Sequence, residues 1–253
     1  MTTPSALADL LKSSSPLRVA IIGAMDQEVE QLKEALTGRE HQVIAGFDFY
    51  TGQLHGTDVV LLKSGIGKVN AAIGTALLLY QFQPTCVINT GSAGGFDAEL
   101  EVGDVVISKE VRHHDVDLTI FGYEHGQLPG MPPAFAPDAL LVDFAEQCIG
   151  SMKGMKTVNG LIATGDTFMD KADRVAATRE LFPTMKACEM EAAAIAQACH
   201  RFDTPFIIIR ALSDIAGKES NISFKEFLET AASHSAEMVM AITDRIRGWK
   251  ADH

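Results

Sequence analysis

Short runs of valine, isoleucine and leucine that stop at a glycine recur along the chain, and helical spacing follows several of them. "LRVAIIGAM" (17–25) is one such run, and "DQEVEQLKEAL" (26–36) after it sets Val29, Leu32 and Leu36 on one helical face. "DVVLLKSGIG" (58–67) repeats the strand-then-glycine pattern, and "KVNAAIGTALLLYQF" (68–82) continues as an apolar helix. "TCVINTGSAGG" (85–95) reads as a third strand with a glycine-rich exit, and "GDVVISKEVRHHD" (103–115) as a fourth. Later strands are predicted at "KTVNGLIATGD" (156–166) and "PFIIIRALSD" (205–214). A helix over 190–202 lies between them, and a long closing helix covers 223–249.

Strands rich in Val and Ile on both faces, alternating with helices, predict a central mixed or parallel sheet covered on both sides. With no fixed-period repeat and no second composition regime, residues 17–253 read as one α/β domain. "SSSP" (13–16) marks off a short N-terminal head, residues 1–16, expected to be flexible.

Composition narrows the partners. The chain is 47% hydrophobic and 21% charged, ample for a packed core. A net charge of −12 argues against nucleic acid or an anionic membrane, both of which reward Lys and Arg, but leaves a small uncharged nucleoside open. Cys86, Cys148, Cys188 and Cys199 lack CxxC spacing and read as buried free thiols of a reducing cytoplasm. The first sixteen residues do not resemble a secretory signal, and no segment reaches the ~20 apolar residues of a membrane span. A soluble cytoplasmic protein is expected.

Open α/β sheets bind ligands at the carboxyl ends of their strands. That rule selects "GAMDQE" (23–28), "SGIGK" (64–68), "TGSAGG" (90–95), "TGDTFMD" (164–170) and "RALSD" (210–214). "TGSAGG" is not the GxGxxG fingerprint, and "SGIGK" lacks the spacer and the Ser/Thr of a Walker loop, so a nucleotide-phosphate site is not supported. "RHHDVDLTIFGYEHG" (112–126) holds three histidines without a metal-ligand spacing; a polar surface loop or a subunit contact is the simpler reading, and no metal is expected.

Four carboxylates stand at predicted element ends: Glu28, Glu189, Glu191 and Asp214. Any one of them alone reads as a cap or an ion-pair partner, and Glu189 suits that role at a helix start. As a set they permit acid–base cleavage of a glycosidic bond, one carboxyl protonating the leaving group and another activating water. Glu189 and Glu191 also open the nearly all-apolar stretch "KACEMEAAAIAQACHRF" (186–202), where an unpaired carboxylate is expensive, so partners or a substrate should answer their charge.

Assembled in order, "IIGAMDQEV", "YTGQL", "LLKSGIGKVNAA", "INTGSAGG", "VGDVVIS", "FGYEHGQLPG", "GLIATGDTF", "EMEAAAIA" and "RALSD" resemble the bacterial 5′-methylthioadenosine/S-adenosylhomocysteine nucleosidases, of the nucleoside phosphorylase superfamily. The resemblance spans about Arg18 to Ile246. It implies a single-domain α/β fold whose mixed sheet curves into a partial barrel flanked by helices. It also implies a homodimer and hydrolysis of an adenine nucleoside by water, without a cofactor.

Position by position, the resemblance makes Glu28 the base that activates water and Asp214, held by Ser213, the acid at adenine N7. Glu191 would bind the ribose 2′ and 3′ hydroxyls and stabilise the cationic sugar, with Met190 and Met25 nearby. Ser92, Ala93 and Gly94 would line the site, Ile66 would meet the alkylthio group, and Arg210 would lie close to the reacting centre. Phe168 would stack on adenine, Met169 would offer its backbone to the base edge, and Phe224 would close over the sugar. Leu118, Phe121, Tyr123 and Pro129 match positions that complete the 5′ pocket of the neighbouring subunit. An acid at Asp214 should have its pKa raised by burial, while Glu189, two residues from Glu191 on a helix, should face elsewhere and serve structure. "DQE" replaces a more acidic run of many members, and Met169 a frequent isoleucine.

Phosphorolysis within the same superfamily is the nearest rival, but Arg18, Arg112 and Arg210 are too scattered to converge on phosphate. A nucleosidase for 6-amino-6-deoxyfutalosine is a second rival within hydrolysis, and the breadth of the 5′ pocket around Ile66 and Phe121 decides between them. A non-catalytic nucleoside binder is disfavoured by the joint presence of Glu28, Glu191 and Asp214.

Overall fold

The computed structural model describes residues 5–149, 156–218 and 220–253. Its centre is a parallel run of strands: β1 (Arg18–Gly23) pairs with β4 (Thr57–Lys63) on one side and β5 (Cys86–Asn89) on the other. The next neighbour of β5 is β10 (Phe206–Ile215). Strand alternation divides the residues of β1 between two cores. Val19 and Ile21 join one cluster with Leu141, Met238 and Ile242, whereas Ala20 and Ile22 join another with Leu78 and Ile195. The helices covering the first face are α2 (Asp26–Ala35), α4 (Ala139–Cys148) and α7 (Ser220–Asp252). On the second face lie α3 (Lys68–Phe82) and α6 (Ala192–Arg201). The two-sided covering expected from the Val/Ile-rich strands is present.

Beyond β10 the sheet curls. β6 (Ser92–Gly95), β9 (Met185–Glu189), β8 (Thr157–Thr164) and β7 (Val105–His113) follow in that order, and β7 returns to pair antiparallel with β10. These five strands close a small mixed barrel, so the expected curvature runs to closure. The predicted single strand over 85–95 is two: β5 serves the open sheet, β6 serves the barrel, and both pair with β10. At the opposite edge, β2 (Thr37–Ile44) and β3 (Phe47–Leu54) form an antiparallel hairpin against β4. The hydrophobic pattern did not reveal β2, because all but its last residue are exposed. α5 (Ala172–Leu181) covers the small cluster of Val175, Met185 and Phe182 beside the barrel.

The head also has a place. Residues 1–4 lie outside the described residues, but α1 (Ala6–Lys12) packs onto the body with Leu7 and Leu11, one turn apart, fully buried. Ser5 caps α1 by accepting from Ala8 N–H, and its hydroxyl donates to Asp138, the N-cap of α4, at 2.7 Å. Lys250 of α7 donates to the carbonyls of Leu11 and Ser13, both at 2.9 Å. The expected flexible segment is thus docked over this length, because its leucine pair supplies a face that the "SSSP" punctuation hides. Among the described residues no helix is long and apolar enough to cross a membrane.

Leu11→Ala is expected to lower unfolding stability by about 2–5 kcal/mol, the range for emptying a buried leucine site. Urea denaturation reads this directly, and an unchanged midpoint would mean that α1 is not docked in solution.

Candidate active site

The carboxyl ends of β1, β9 and β10 and the start of β6 meet around a cavity of about 220 Å³. From β1 the chain turns through Ala24 and Met25 into α2, and Met25 and Glu28 both line the cavity. Glu28, on the first turn of that helix, reaches back so that Oε2 accepts from the N–H groups of Ala24 (2.8 Å) and Met25 (3.2 Å). Its Oε1 accepts from the Ser92 N–H (2.8 Å) and hydroxyl (2.9 Å). Four donors therefore hold a buried carboxylate in one orientation.

Ser92, Ala93 and Gly94 of β6 form the adjoining wall. The break before them needs Gly91: a Cβ there would lie 2.9 Å from Glu28 Oε1 and 3.2 Å from Arg210 Nη1. Opposite them, Ser213 and Asp214 of β10 both line the cavity although consecutive strand residues ordinarily alternate. The cause is a bulge, since the register with β6 slips between Leu212 and Asp214. Asp214 is 3% exposed, and the Ser213 hydroxyl donates to its Oδ1 at 3.0 Å.

The Glu189–Met190–Glu191 triplet differs from its sequence reading. Glu189 ends a strand, α6 begins only at Ala192, and Glu191 is the N-cap. The N-cap side chain makes no capping bond. Glu189 does that work instead, its Oε2 accepting from the N–H groups of Glu191 (3.0 Å) and Ala192 (2.8 Å). Met190 and Glu191 line the cavity, and Glu191 Oε1 accepts from Gly67 N–H at 2.9 Å. Gly67 opens α3 at φ +95°, a backbone state that favours glycine. Burial, then the charge of Glu189, push the Glu191 carboxyl up to about 8, against the opposing pull of Arg210 and the Gly67 N–H.

Arg210 does not line the cavity. It lies fully buried behind it, with Nη2 donating to Glu189 at 2.6 Å and to Asn89 Oδ1 at 2.7 Å. The open rim is apolar: Ile66, 51% exposed, stands by Phe168 and Phe224, whose rings meet edge-on at 5.8 Å. Met169 lines a small extension of about 30 Å³ beside Phe168, Met190 and Asp214. Leu118, Phe121, Tyr123 and Pro129 lie outside this cavity, in the surface segment around the short 3₁₀ turn Thr119–Phe121. A larger groove of about 500 Å³, walled by Pro132, Phe135 and Phe206, opens at the other end of β10, away from the candidate residues.

Within "RHHD", burial lowers the pKa of His113 and His114, and Asp115 pairs with Lys68 at 2.6 Å. Among the described residues no group of His, Cys, Asp and Glu is arranged to hold a metal ion. Sequence reasoning missed Gly67, Asn89 and Thr164 as supports of the site, and it misplaced Glu189. The proline-led segment "PTMKACE" was the available signal that Glu189 ends a strand.

The profile of the Phosphorylase superfamily matches residues 18–244, leaving α1 outside. A 5′-methylthioadenosine/S-adenosylhomocysteine nucleosidase of Geobacillus is 59% identical over 231 residues, covering 91% of this chain and all of the relative. The nucleosidase of Colwellia psychrerythraea solved in complex with adenine is 56% identical, with a TM-score of 0.90 over 92% of this chain and 96% of that one. The Neisseria meningitidis nucleosidase in complex with methylthio-immucillin-A is 51% identical, with a TM-score of 0.87 over 89% of this chain and 97% of that one.

The raised pKa of Glu191 makes the stability of the folded chain depend on pH. The folded chain holds this proton up to about 8, whereas an unfolded carboxyl releases it near 4.5, so stability falls as pH rises between the two. Glu191→Gln removes that loss. The variant is expected to gain stability over the parent by a few kcal/mol at pH 8 and little at pH 4.5. Unfolding midpoints of both chains across this range check it; a constant difference would contradict the assignment.

Proposed function

The chain belongs to the phosphorylase superfamily, and from that premise we propose that it hydrolyses the N-glycosidic bond of 5′-methylthioadenosine and S-adenosylhomocysteine, and of 5′-deoxyadenosine. The observation that carries this reading is the convergence of Glu28, Glu191 and Asp214, from three separate segments, on one cavity with an apolar rim. Asp214 donates its proton to adenine N7 as the C1′–N9 bond breaks and its electron pair moves into the base. Water attacks C1′ from the other face, and Glu28 takes the proton that this water loses. Glu191 accepts hydrogen bonds from the ribose 2′ and 3′ hydroxyls, and its negative charge offsets the oxocarbenium-like sugar.

Phe168 and Phe224 sandwich the adenine and sugar, Met25 and Met190 pack on the ribose, and Met169 presents backbone to the base edge. Ser92, Ala93 and Gly94 complete the wall, Ser213 orients Asp214, and Arg210 acts from behind the site through the carboxylates. No metal or cofactor enters the scheme, because water is the nucleophile and the base leaves as neutral adenine.

A homodimer completes the reading. Ile66, Val69, Ile73 and Tyr80 are exposed along the start and one side of α3, and Ile120 and Phe121 are 87% and 74% exposed. The Lys68–Asp115 ion pair sets the segment bearing the latter pair beside the first turn of α3. This apolar surface runs on from the cavity rim at Ile66, where the partner subunit's Leu118, the partner subunit's Phe121, the partner subunit's Tyr123 and the partner subunit's Pro129 would close the 5′ pocket. Buried free cysteines suit a reducing compartment, and we place the enzyme in the cytoplasm, with neither nucleic acid nor membrane as partner.

Adenine release from methylthioadenosine, measured with and without phosphate, tests the reaction. Phosphate-independent release of free 5-methylthioribose is expected; release only with phosphate, as the 1-phosphate, would transfer the chain to the phosphorolytic branch. Glu28→Gln, Glu191→Gln and Asp214→Asn are each expected to lose at least 10²–10⁴ in rate. Near-normal turnover in any of them removes that residue from its role. For assembly, sedimentation equilibrium is expected to give twice the chain mass of 27.2 kDa, and Val69→Arg to reduce it. A monomeric parent chain with full activity would overturn the shared pocket.

A further inference from the structure

Glu189 takes no part in the proposed reaction, yet it lines the cavity beside Glu191 and accepts four hydrogen bonds. Its Oε2 accepts from the N–H groups of Glu191 and Ala192 and from Arg210 Nη2, and its Oε1 accepts from the Thr164 hydroxyl. Thr164 in turn accepts from Ala193 N–H at 2.8 Å. Glu189 and Thr164 between them therefore satisfy three consecutive N–H groups at the start of α6, donors that a helix leaves orphaned. An N-cap side chain ordinarily serves this need. Here the N-cap is Glu191, which makes no capping bond and instead reaches across to Gly67 N–H at the cavity wall.

The second grip of Glu189 is electrostatic. Arg210 is a fully buried cation whose charge is answered by Glu189 first, then by Glu191 and Glu28. A buried guanidinium deprived of its bonded carboxylate must find another, since leaving it unpaired is strongly destabilising. The remaining candidates are the two carboxylates that the site needs free.

We propose that Glu189 is a positioning residue for the nucleosidase reaction: by holding the α6 N-terminus and the Arg210 guanidinium together, it keeps the Glu191 carboxylate uncommitted and turned into the cavity. The inference rests on the reading of Glu191 as the ribose-binding group. The charges that face Glu191 are Glu28 from α2, Glu189 from β9, and Arg210 and Asp214 from β10; Lys68 of α3 is engaged by Asp115. Neutralising Glu189 removes a like charge from Glu191 and releases Arg210 toward it. Both changes favour the ionised Glu191 at lower pH.

The test compares the pH profile of kcat/KM for adenine release by the parent chain and Glu189→Gln, with Glu191→Gln as control. Glu189→Gln is expected to lose about 10- to 100-fold at neutral pH, chiefly in kcat, and its acid limb to move down by about one unit. The ratio of variant to parent therefore rises as pH falls, and Glu189→Asp, which keeps the charge, returns the limb to its parental position. A ratio that stays flat with pH, in a variant that folds, overturns the proposal and leaves Glu189 a purely structural cap. Near-normal turnover by Glu191→Gln would instead remove the reading on which the proposal rests. Should Glu189→Gln not fold, Thr164→Val loosens the same cap while retaining the charge. It is expected to lose at least about fivefold in kcat with the acid limb unmoved; parental turnover in that variant overturns the proposal.

Discussion

One buried guanidinium stands among three carboxylates, and the geometry of the site depends on how that positive charge is shared. Arg210 bonds Glu189 at 2.6 Å and lies near enough to Glu191 and Glu28 for their charges to act on it. Burying such a pair is expensive, and further hydrogen bonds at Nη1 and Nη2 offset part of the cost, while the buried Nε has no partner among the described residues. Here Asn89 accepts from Arg210 and donates to the Ile22 carbonyl, while Arg210 also donates to the carbonyl of Ile209. One side chain of β10 thereby ties together the ends of β1, β5 and β9. The carboxylates inherit their positions from that knot.

Backbone topology explains why the knot sits where it does. β10 is the strand common to the open sheet and the barrel, pairing with β5 along its first half and with β6 along its second. The sheet cannot serve both without a break, and the break falls at Thr90–Gly91, where Glu28 and Arg210 approach the backbone. The bulge at Ser213 is the matching irregularity on β10, and it aims two consecutive side chains into one cavity. At the Thr90–Gly91 break side chains take over from the ladder: Ser235 of α7 accepts from Gly91 N–H and Glu28 accepts from Ser92 N–H.

Much of this was legible in the sequence where the signal is local. The Val/Ile runs marked β1, β4, β5 and β10, and the carboxylates predicted at the ends of two of them, Glu28 and Asp214, both line the cavity. β2 was illegible because a strand with no buried face has no period to detect, and β9 because five residues before an apolar helix read as part of it. The head shows the opposite case: its Leu7–Leu11 pair is a local signal, but its meaning depends on a surface of α4 and α7 far along the chain. Glu189 shows the same limit within the site. Its spacing from Glu191 was plain, whereas its role follows from Thr164 and Arg210, which the sequence separates from it by more than twenty residues.

The expense of Glu191 is what connects stability to the proposed chemistry. This carboxyl is pushed up to about 8, because burial and the neighbouring Glu189 charge outweigh the help of Arg210 and Gly67. In the proposed reaction the ribose diol would offer hydrogen bonds to the ionised form, and a sugar developing positive charge would offer a counter-ion. An apolar cap or a direct Arg210 partner would make the empty protein more stable and would answer the carboxylate before substrate arrived. Holding Arg210 on Glu189 leaves the ionised form of Glu191 incompletely compensated, so that under the proposed reaction a positively charged sugar would favour it.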